Sequence, residues 1–429
     1  MTEIQPFRGL RYDPATVRPN DVIAPPYDVV AVAEVEALLA RSPYNIAHIE
    51  SCTGTDQGYA RAAELLREWQ SAGVLRRDEA PAYYVYEQRF AVHGETRIRR
   101  VFLARMRLHP HEEGIVRPHE ATLSGPKEDR LRLLRATRMN VSPIFGMFAD
   151  PEGRARLALE AVAAASPVFE AKDGRGDEHR LWVIDAPSHI EALTAVVAAS
   201  PVTIADGHHR YHTALNYLTE REAAGAASEA DRYILTGLVA QDDPGLLVLP
   251  IHRLIGAGIV PDDLDRRLGE LYQVEAIDAP WDAEGAQQVW ERVQAVVAKS
   301  EAFGVIGLAP KTFHLLTARS STAIASAMPA HWSPASRALH VLVLSETILQ
   351  PLLGLDPSAR AAGEHIAFTE DVAEAWRQVD SGEYSLAFLV DHVHVGQIVA
   401  VADAGELLPQ KSTFFYPKLA TGMVLNPLD

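Results

Sequence analysis

Cysteine is almost absent from this sequence. Cys52 is the only one, so no disulfide can form within the chain and a reducing compartment is expected. No apolar run reaches the roughly 18–20 residues that cross a bilayer, and the first residues lack the basic and apolar regions of a secretory signal. These absences favour a cytoplasmic protein with no membrane partner.

The sequence also contains few lysines, and its net charge is negative. The chain carries a formal charge of −17 and a sequence pI near 5.5, which argues against a nucleic-acid partner because such a partner needs a basic field. Only six of the 40 basic residues are lysines. Arginine and lysine bind phosphate differently, so a lysine beside unusual local sequence is a candidate ligand.

The sequence does have length and apolar material. With 429 residues, 48% of them hydrophobic, the chain suits two or three domains. Intermixed helix and strand patterns predict a mixed α/β class. The expected division is an N-terminal α/β region at 1–100, a phosphate-binding core at 101–260 and a C-terminal α/β domain at 261–429. The composition leaves a homodimer open.

Hydrophobic periodicity gives the local predictions. Two runs rich in β-branched and aromatic residues, 83–89 and 98–108, predict a hairpin. The apolar run 201–205 predicts a strand that leads into a helix at 207–222. The run 396–402 is predicted as a strand.

The strongest chemical signal is the junction between that strand and that helix. The sequence there reads Asp206, Gly207, His208, His209, Arg210. A glycine lets the backbone approach a ligand closely, and the first helical N–H groups favour an anion. The two histidines and the arginine add side-chain donors at the same point. The junction therefore predicts a phosphate site, with an ordinary helix start capped by aspartate as the alternative.

Charged side chains are concentrated in the segment 114–130, which proline and glycine interrupt. Mixed charges in an irregular loop suit acid–base work or phosphate binding. A solvated surface loop is the alternative. The candidates in this segment are His119, Glu120, Lys127 and Arg130.

Three further polar boxes are candidates for substrate contacts. The first is a rigid Pro-Pro-Tyr-Asp stretch. The second lies just before a proline, and its polar residues are either ligands or turn residues. The third follows a predicted strand. Their members are Tyr27, Asp28, Asn140, Ser142, His252 and Arg253.

A basic loop near the C-terminus carries hydroxyl groups as well. It contains Lys411, Ser412, Thr413 and Lys418. Lys-Ser-Thr also ends a P-loop, but no glycine directly precedes Lys411, so a Walker A site is rejected. A phosphate-binding loop and a plain surface loop both remain open.

These boxes together resemble a family of bacterial and archaeal proteins known as domain of unknown function DUF 1015. The resemblance spans nearly the whole chain. The boxes that carry it are Pro6-Phe-Arg-Gly-Leu-Arg-Tyr12, Pro25-Pro-Tyr-Asp28, Pro118-His-Glu-Ala-Thr122, Asp206-Gly-His-His-Arg-Tyr211, Leu249-Pro-Ile-His-Arg253 and Lys411-Ser-Thr-Phe-Phe-Tyr-Pro-Lys418.

The box at residues 207–211 also resembles the phosphate-binding boxes of the ParB/sulfiredoxin-like superfamily, which includes the free serine kinases. That resemblance implies a ParB/sulfiredoxin-like nucleotide-binding core in which Gly207, His209 and Arg210 hold phosphates. His208 stands where sulfiredoxin has its catalytic cysteine, so sulfiredoxin chemistry is excluded. The kinases of this fold use a glutamate base near an upstream box, which implies Glu120 here.

Three functions fit these residues. The first is a nucleotide-dependent phosphotransferase acting on a small hydroxylated metabolite, with Glu120 or Asp206 as base and Mg²⁺ held by Asp206. The second is a phosphatase or phosphohydrolase, with His208 or His209 as nucleophile or acid. The third is a non-enzymatic regulator that binds a nucleotide. ATP, ADP or CTP is the expected nucleotide in each case.

Overall fold

The computed structural model describes residues 1–51, 54–92, 94–121 and 125–429, with the backbone alone at 125–127. Cys52 and His93, which belongs to the connection between the two runs of the predicted hairpin, lie outside the described residues. The chain divides into two compact units. Unit 1 comprises Met1–Pro118, Thr122–Leu247 and Pro417–Asp429, and unit 2 comprises His119–Ala121 and Val248–Tyr416. The three-domain division expected from the sequence stays a prediction.

Unit 1 is built on a mixed sheet, and its strand Tyr233–Ala240 is buried along its whole length. A strand covered on both faces reads as a continuous apolar run, as this one does. Across the described residues the strands follow the spatial order Val116–Arg117, Val202–Asp206, Ile144–Phe148, Tyr233–Ala240, Glu95–Arg107, Tyr83–Val92, Glu178–Ile184 and Phe169–Lys172, with Ile4–Gln5 pairing to Glu95–Arg107.

Helices of unit 1 cover this sheet and bury apolar faces against it. Tyr211, Ala214 and Leu218 belong to one core cluster with strand residues, and their spacing is that of one helix face. The described helices of the unit are Pro19–Val22, Val32–Arg41, Ala47–Glu50, Asp56–Ser71, Gly125–Thr137, Arg154–Ala163, Pro187–Ala198 and His208–Ala223, with 3₁₀ turns at His111–Glu113 and Ala230–Arg232.

Short ladders complete unit 1. Leu10–Tyr12 pairs with Leu75–Arg77, and the C-terminal strand Asn426–Pro427 pairs with Met139–Asn140. The predicted hairpin is confirmed, because Tyr83–Val92 and Glu95–Arg107 pair antiparallel up to Val92 opposite Glu95. The last residues of the chain are therefore held inside unit 1.

Unit 2 contains an antiparallel sheet with its own core. Trp290, Phe313 and Leu389 are buried together in that core. The described strands follow the order Tyr272–Ile277, Thr312–Ala318, Ala302–Ala309, Leu386–Leu389, His252–Ile255 and Ile366–Thr369, and further short strands lie at Leu247–Leu249 and Phe414–Tyr416.

The helices of unit 2 are mostly short, and one stretch has π geometry. They are Leu264–Leu268, Ala283–Val297, Ser321–Ala327, Pro334–Arg337, His340–Leu344, the π-helical Ser345–Leu349, Gln350–Leu353, Pro357–Ala362, Val372–Asp380 and Val395–Asp403. Within the described ranges of both units, no helix combines the length and apolarity needed to cross a membrane. The mixed α/β class predicted from the sequence is confirmed.

One predicted strand is wrong. The run 396–402 lies in the helix Val395–Asp403, whose buried residues Ile398, Val401 and Ala402 are spaced three and four apart. His394 and Gln397 form a capping box at the start of this helix. The apolar β-branched run suited a strand, but the helical spacing of its buried residues and the cap favour the helix.

Two glycines of unit 2 give a matched test of the packing. A Cβ at Gly285 would overlap the Pro280 carbonyl oxygen, whereas a Cβ at Gly396 meets nothing within 4 Å. Both residues lie in the first turn of a helix. We expect Gly285→Ala to destabilise the protein by about 1–3 kcal/mol and Gly396→Ala to be neutral or stabilising by up to about 1 kcal/mol. Denaturant unfolding measures the free energy of unfolding of each variant. Equal changes in that free energy would contradict the close packing at Gly285.

Candidate functional site

The predicted junction in unit 1 depends on a glycine. Gly207 caps the helix His208–Ala223 in the left-handed conformation, with φ of 87°. A Cβ at this position would lie 2.9 Å from Cγ2 of Ile144. A larger residue is therefore disfavoured twice, by the contact with Ile144 and by the left-handed backbone conformation. The strand Val202–Asp206 pairs with Ile144–Phe148, and the register of this pairing shifts between Ile204 and Asp206. Such irregularities re-aim side chains at the ends of strands.

Asp206 is the centre of a buried charge cluster. Its Oδ2 accepts a hydrogen bond from Arg210 Nη2 at 2.6 Å, and its Oδ1 contacts the ammonium of Lys418. The three side chains are 16%, 9% and 12% exposed, respectively. Burial alone would raise the pKa of Asp206, but the charges of Lys418 and Arg210 outweigh it and hold that pKa well below its usual range. Asp206 is therefore ionised and acts as an acceptor only.

This pairing bears on two roles predicted for Asp206. A carboxylate held in its ionised form by two cations is a weak base. Both of its oxygens already contact a cation, so direct Mg²⁺ coordination would require Arg210 or Lys418 to leave. The arrangement does not fit a Mg²⁺ ligand. Within the ranges that the structure describes, no group of three or more metal-binding side chains occurs.

Arg210 also lines a small cavity with mixed polar and apolar walls. Its Nη1 donates to the Pro143 carbonyl, while its buried Nε has no hydrogen-bond partner among the described residues. The cavity measures about 50 Å³, which is room for a few water molecules or one small anion. The polar residues that line it are Glu50, Arg130, Asn140, Ser142, Arg210 and Thr213.

Glu50 lies in this cavity with one carboxylate oxygen unused. Its Oε1 accepts a hydrogen bond from the Ser142 hydroxyl at 2.6 Å. The residue is only 3% exposed, and its buried Oε2 has no hydrogen-bond partner among the described residues. An unsatisfied buried carboxylate oxygen is costly, which indicates a ligand or water with a donor at this point.

Arg130 joins the same cluster from another helix. It forms an ion pair with Asp129 at 2.5 Å and donates to the Glu50 carbonyl at 3.0 Å. Its guanidinium lies 4.0 Å from the centre of the Tyr27 ring. Burial and the neighbouring charge of Asp28 raise the pKa of Tyr27 to about 12, so the phenol is neutral. Unit 1 thus brings together candidates from five separate sequence boxes.

Asn140 has a structural role at the edge of this cavity. Its Oδ1 accepts hydrogen bonds from the Leu235 amide at 3.0 Å and from Asn426 Nδ2 at 2.9 Å. These bonds fix the C-terminal strand in unit 1. His208 and His209 lie half-buried in the first turn of the helix after Gly207. The side chain of Lys127 lies outside the described part of the structure.

Two positioning residues were missed by the sequence analysis. Arg99 is fully buried, donates to Gln88 Oε1 and to the Pro417 carbonyl, and lies 4.8 Å from the Phe145 ring. Gln88 donates to the Lys418 carbonyl at 2.9 Å. Together they fix the backbone that carries Lys418. Charged residues lie next to both in the sequence, so no local signal distinguished Gln88 and Arg99.

The remaining candidates lie in unit 2 around the Lys-Ser-Thr loop. Glu120 Oε1 accepts the Lys411 amide at 3.0 Å, and Lys411 has a left-handed φ of 58°. His119 is fully buried, and its Nε2 lies 2.9 Å from the Thr413 hydroxyl. Ser412 donates to the Pro409 carbonyl at 2.6 Å. Glu120 therefore holds a strained turn.

His252 and Arg253 lie on a strand of the unit 2 sheet. His252 is fully buried, and its Nδ1 accepts the Val390 amide at 3.2 Å. Burial, and then the charge of Arg253, lower the pKa of His252 to about 3, so the imidazole is neutral. Arg253 is 3% exposed and donates to the carbonyls of Ile251 and Lys411.

Solved structures show only distant likeness to the chain. A conserved hypothetical protein from Pyrococcus furiosus shares 12% identity over 71% of this chain and 89% of its own, with a TM-score of 0.34. A free serine kinase in complex with AMP shares 13% identity over 70% of this chain and 83% of its own, with a TM-score of 0.32. Likeness at this level carries no argument about fold, ligand or chemistry.

Sequence comparison gives a clearer result. A comparison with curated proteins finds no match. A family profile described as Protein of unknown function (DUF1015) matches residues 4–342, which is well over half of the chain. The chain therefore belongs to the DUF1015 family.

Proposed function

We propose that the chain binds the phosphates of a nucleotide at the start of helix His208–Ala223 and transfers a phosphoryl group to a hydroxyl of a small metabolite. The observation that carries the binding proposal is the buried cluster of Asp206, Arg210 and Lys418, whose aspartate directly precedes the left-handed Gly207. Nucleotide as the ligand follows from the resemblance of the box at residues 207–211 to known phosphate-binding boxes.

The start of this helix supplies donors that an anion needs. The first N–H groups of a helix have no intrahelical partner and carry partial positive charge. No side chain caps this helix at Gly207. Because glycine has no side chain, a phosphate can approach those amides directly. His208 and His209 lie in the same turn and can add donors.

The charge cluster sets the geometry of the cationic groups. Asp206 fixes Arg210 one turn into the helix and Lys418 from the C-terminal segment. Phosphoryl transfer depends mainly on positioning and on stabilising charge, and there is little covalent chemistry for the protein to do. Two cations held in place before the ligand arrives meet that requirement at a small entropic cost.

The cavity beside Arg210 is too small for a whole nucleotide. Ligand sites for drug-sized molecules measure roughly 300–1,000 Å³, whereas this cavity measures about 50 Å³. The unused Nε of Arg210 and the unused Oε2 of Glu50 both line it. We assign the cavity to a single small group of the ligand or to ordered water.

Two substitutions at the same ion pair test the phosphate role of Arg210. Arg210→Ala removes the guanidinium, and we expect nucleotide affinity to fall by about 1.5–3 kcal/mol, the range for a charged hydrogen bond. Asp206→Asn removes the competing carboxylate and leaves Arg210 and Lys418 charged, so we expect nucleotide affinity to rise. Calorimetric titration with ATP, ADP and CTP measures both variants.

Both variants break a buried ion pair, so both should lose stability. This shared loss of stability serves as the control. If Arg210 had a purely structural role, nucleotide binding would weaken in both variants alike. Opposite changes in affinity support the phosphate role. Unchanged affinity in a folded Arg210→Ala protein would remove Arg210 from the site.

Glu120 is our proposed base for the acceptor hydroxyl. Glu120→Gln keeps an oxygen that can accept the Lys411 amide but abolishes basicity. We expect turnover to fall by about 10²–10⁴-fold, the usual contribution of a general base, with nucleotide affinity unchanged. The measurement is nucleotide turnover in the presence of a panel of small hydroxylated metabolites.

The comparison variant is Glu120→Ala, which also loses the hydrogen bond to Lys411. If Glu120 only holds the loop, Gln will retain turnover and Ala will lose it. Full turnover in Glu120→Gln would therefore contradict the base assignment.

A further inference from the structure

Glu50 is anchored in unit 1 at both its backbone and its side chain. It ends the short helix Ala47–Glu50 and is 3% exposed. Its carbonyl oxygen accepts a hydrogen bond from Arg130 at 3.0 Å, and its Oε1 accepts one from the Ser142 hydroxyl at 2.6 Å. Because the backbone and one carboxylate oxygen are both held, the second oxygen, Oε2, has a defined position.

Arg210 is anchored beside Glu50 by the same short segment of chain. Its Nη1 donates to the carbonyl of Pro143, which directly follows Ser142 in the sequence. Glu50 and Arg210 are thus bonded to consecutive residues, whose Cα atoms lie about 3.8 Å apart. Both side chains also line one cavity of about 50 Å³. The carboxylate and the guanidinium therefore border the same small space.

Each of these two groups has one buried atom without a hydrogen-bond partner among the described residues. The atoms are Oε2 of Glu50, which is an acceptor, and Nε of Arg210, which is a donor. The side chain of Arg210 is 9% exposed, so bulk water has little access to it. Part of the cavity wall is formed by Leu133, Leu134 and Ile234, whose side chains offer no hydrogen bond. Buried polar atoms left in this way indicate an occupant.

The two atoms need opposite partners, and this restricts the chemistry of the occupant. An ammonium group has donors only, and it would lie among the guanidinium groups of Arg130 and Arg210. A carboxylate or phosphate group has acceptors only, and Glu50 would repel it. A hydroxyl donates its proton and accepts a second hydrogen bond with one oxygen, and the cavity has room for it. A hydroxyl therefore satisfies both atoms, as water does.

Arg210 connects this cavity to the proposed phosphate site. A Cβ at Gly207 would lie 3.1 Å from Arg210 Nε, so the space where a phosphate approaches the helix borders that nitrogen. Phosphoryl transfer needs the acceptor oxygen within about 3–3.5 Å of the phosphorus atom. The acceptor metabolite must therefore lie against the same guanidinium, which makes it the ligand that can reach the cavity.

We propose that the cavity binds a hydroxyl group of the acceptor metabolite, which donates to Glu50 Oε2 and accepts from Arg210 Nε. This inference rests on the phosphotransferase function proposed above. In that function the hydroxyl that is phosphorylated gives its proton to Glu120, so the hydroxyl at Glu50 is a second one. The acceptor is therefore a polyol, and Glu50 determines the specificity for it.

Matched pairs of alcohols test this inference on the full chain. Glycerol, erythritol and myo-inositol are the polyols, and propanol, butanol and cyclohexanol keep the carbon skeletons with one hydroxyl each. We expect nucleotide-dependent phosphorylation of a polyol with kcat/KM at least about tenfold above that of its partner, because a site that binds a hydroxyl rejects the analogue without it. Equal kcat/KM within every pair would overturn the inference.

Glu50→Gln reverses the hydrogen bonding inside the cavity. The amide keeps an oxygen for the Ser142 hydroxyl and places an NH₂ donor where Oε2 accepts. We expect polyol affinity to fall about tenfold or more, the range for a charged hydrogen bond, with nucleotide affinity unchanged. Ligand-observed NMR measures the polyol and calorimetry the nucleotide. A polyol affinity equal to that of the parent would show that the cavity holds only water.

Two further variants guard against an effect on folding alone. Glu87 is also 3% exposed in unit 1, but it pairs with Arg100 at 2.7 Å. Glu87→Gln should therefore lose stability and keep polyol affinity, and an equal loss of affinity there would overturn the inference. Ser142→Ala releases Oε1 and leaves the carboxylate in place, so we expect it to weaken polyol binding by about threefold, less than Glu50→Gln does.

The outcomes separate this inference from the proposed function and from a nucleotide hydroxyl. Polyol binding that requires Glu50, without phosphorylation by any nucleotide, would keep the cavity site and refute the transfer. Phosphorylation that is indifferent to Glu50→Gln would keep the transfer and refute the cavity site. If Glu50→Gln weakens the binding of ATP but not of an ATP analogue without ribose hydroxyls, the cavity holds the ribose and the inference is overturned.

Discussion

The ionised carboxylate of Asp206 is the constraint on which unit 1 depends. It joins the end of a strand, the first turn of the following helix and a lysine 212 positions later in the chain. Its removal would leave two buried cations without this carboxylate, which costs several kcal/mol. Arg99 and Gln88 secure the same segment through the carbonyls of Pro417 and Lys418. The C-terminal segment is thus part of the site as well as of the fold.

Local signals explain what the sequence could predict. Gly207 was identifiable because a strand pattern met a helix pattern with only Asp206 between them, and the structure has a left-handed cap there. The first hairpin was identifiable because two β-branched runs flank a short turn. The run 396–402 misled because Ile and Val suit both states, and the cap formed by His394 and Gln397 carried the better signal.

Long-range partners explain what the sequence could not predict. Glu50 meets Ser142 across 92 positions, and Arg99 meets Pro417 across 318. Neither residue belongs to a motif, so nothing local distinguishes it from a surface residue. The reverse also occurs: Asn140 is in a polar box but bonds to Leu235 and Asn426 to hold the fold. The type of a residue predicts which groups its side chain can bind, whereas the topology of the fold decides which groups lie next to that side chain.

Charge compensation separates the arginines of the two units. Arg210 and Arg130 each have a carboxylate partner, so an anion in unit 1 must compete with Asp206 or Asp129 for the guanidinium. Arg253 has no carboxylate in contact within the described ranges, and its hydrogen bonds end on the carbonyl oxygens of Ile251 and Lys411. An anion at the proposed unit 1 site would therefore depend on the amides at the start of helix His208–Ala223 and on the geometry that Asp206 imposes on Arg210. The same residue type is thus held by a carboxylate in one unit and by backbone carbonyls in the other.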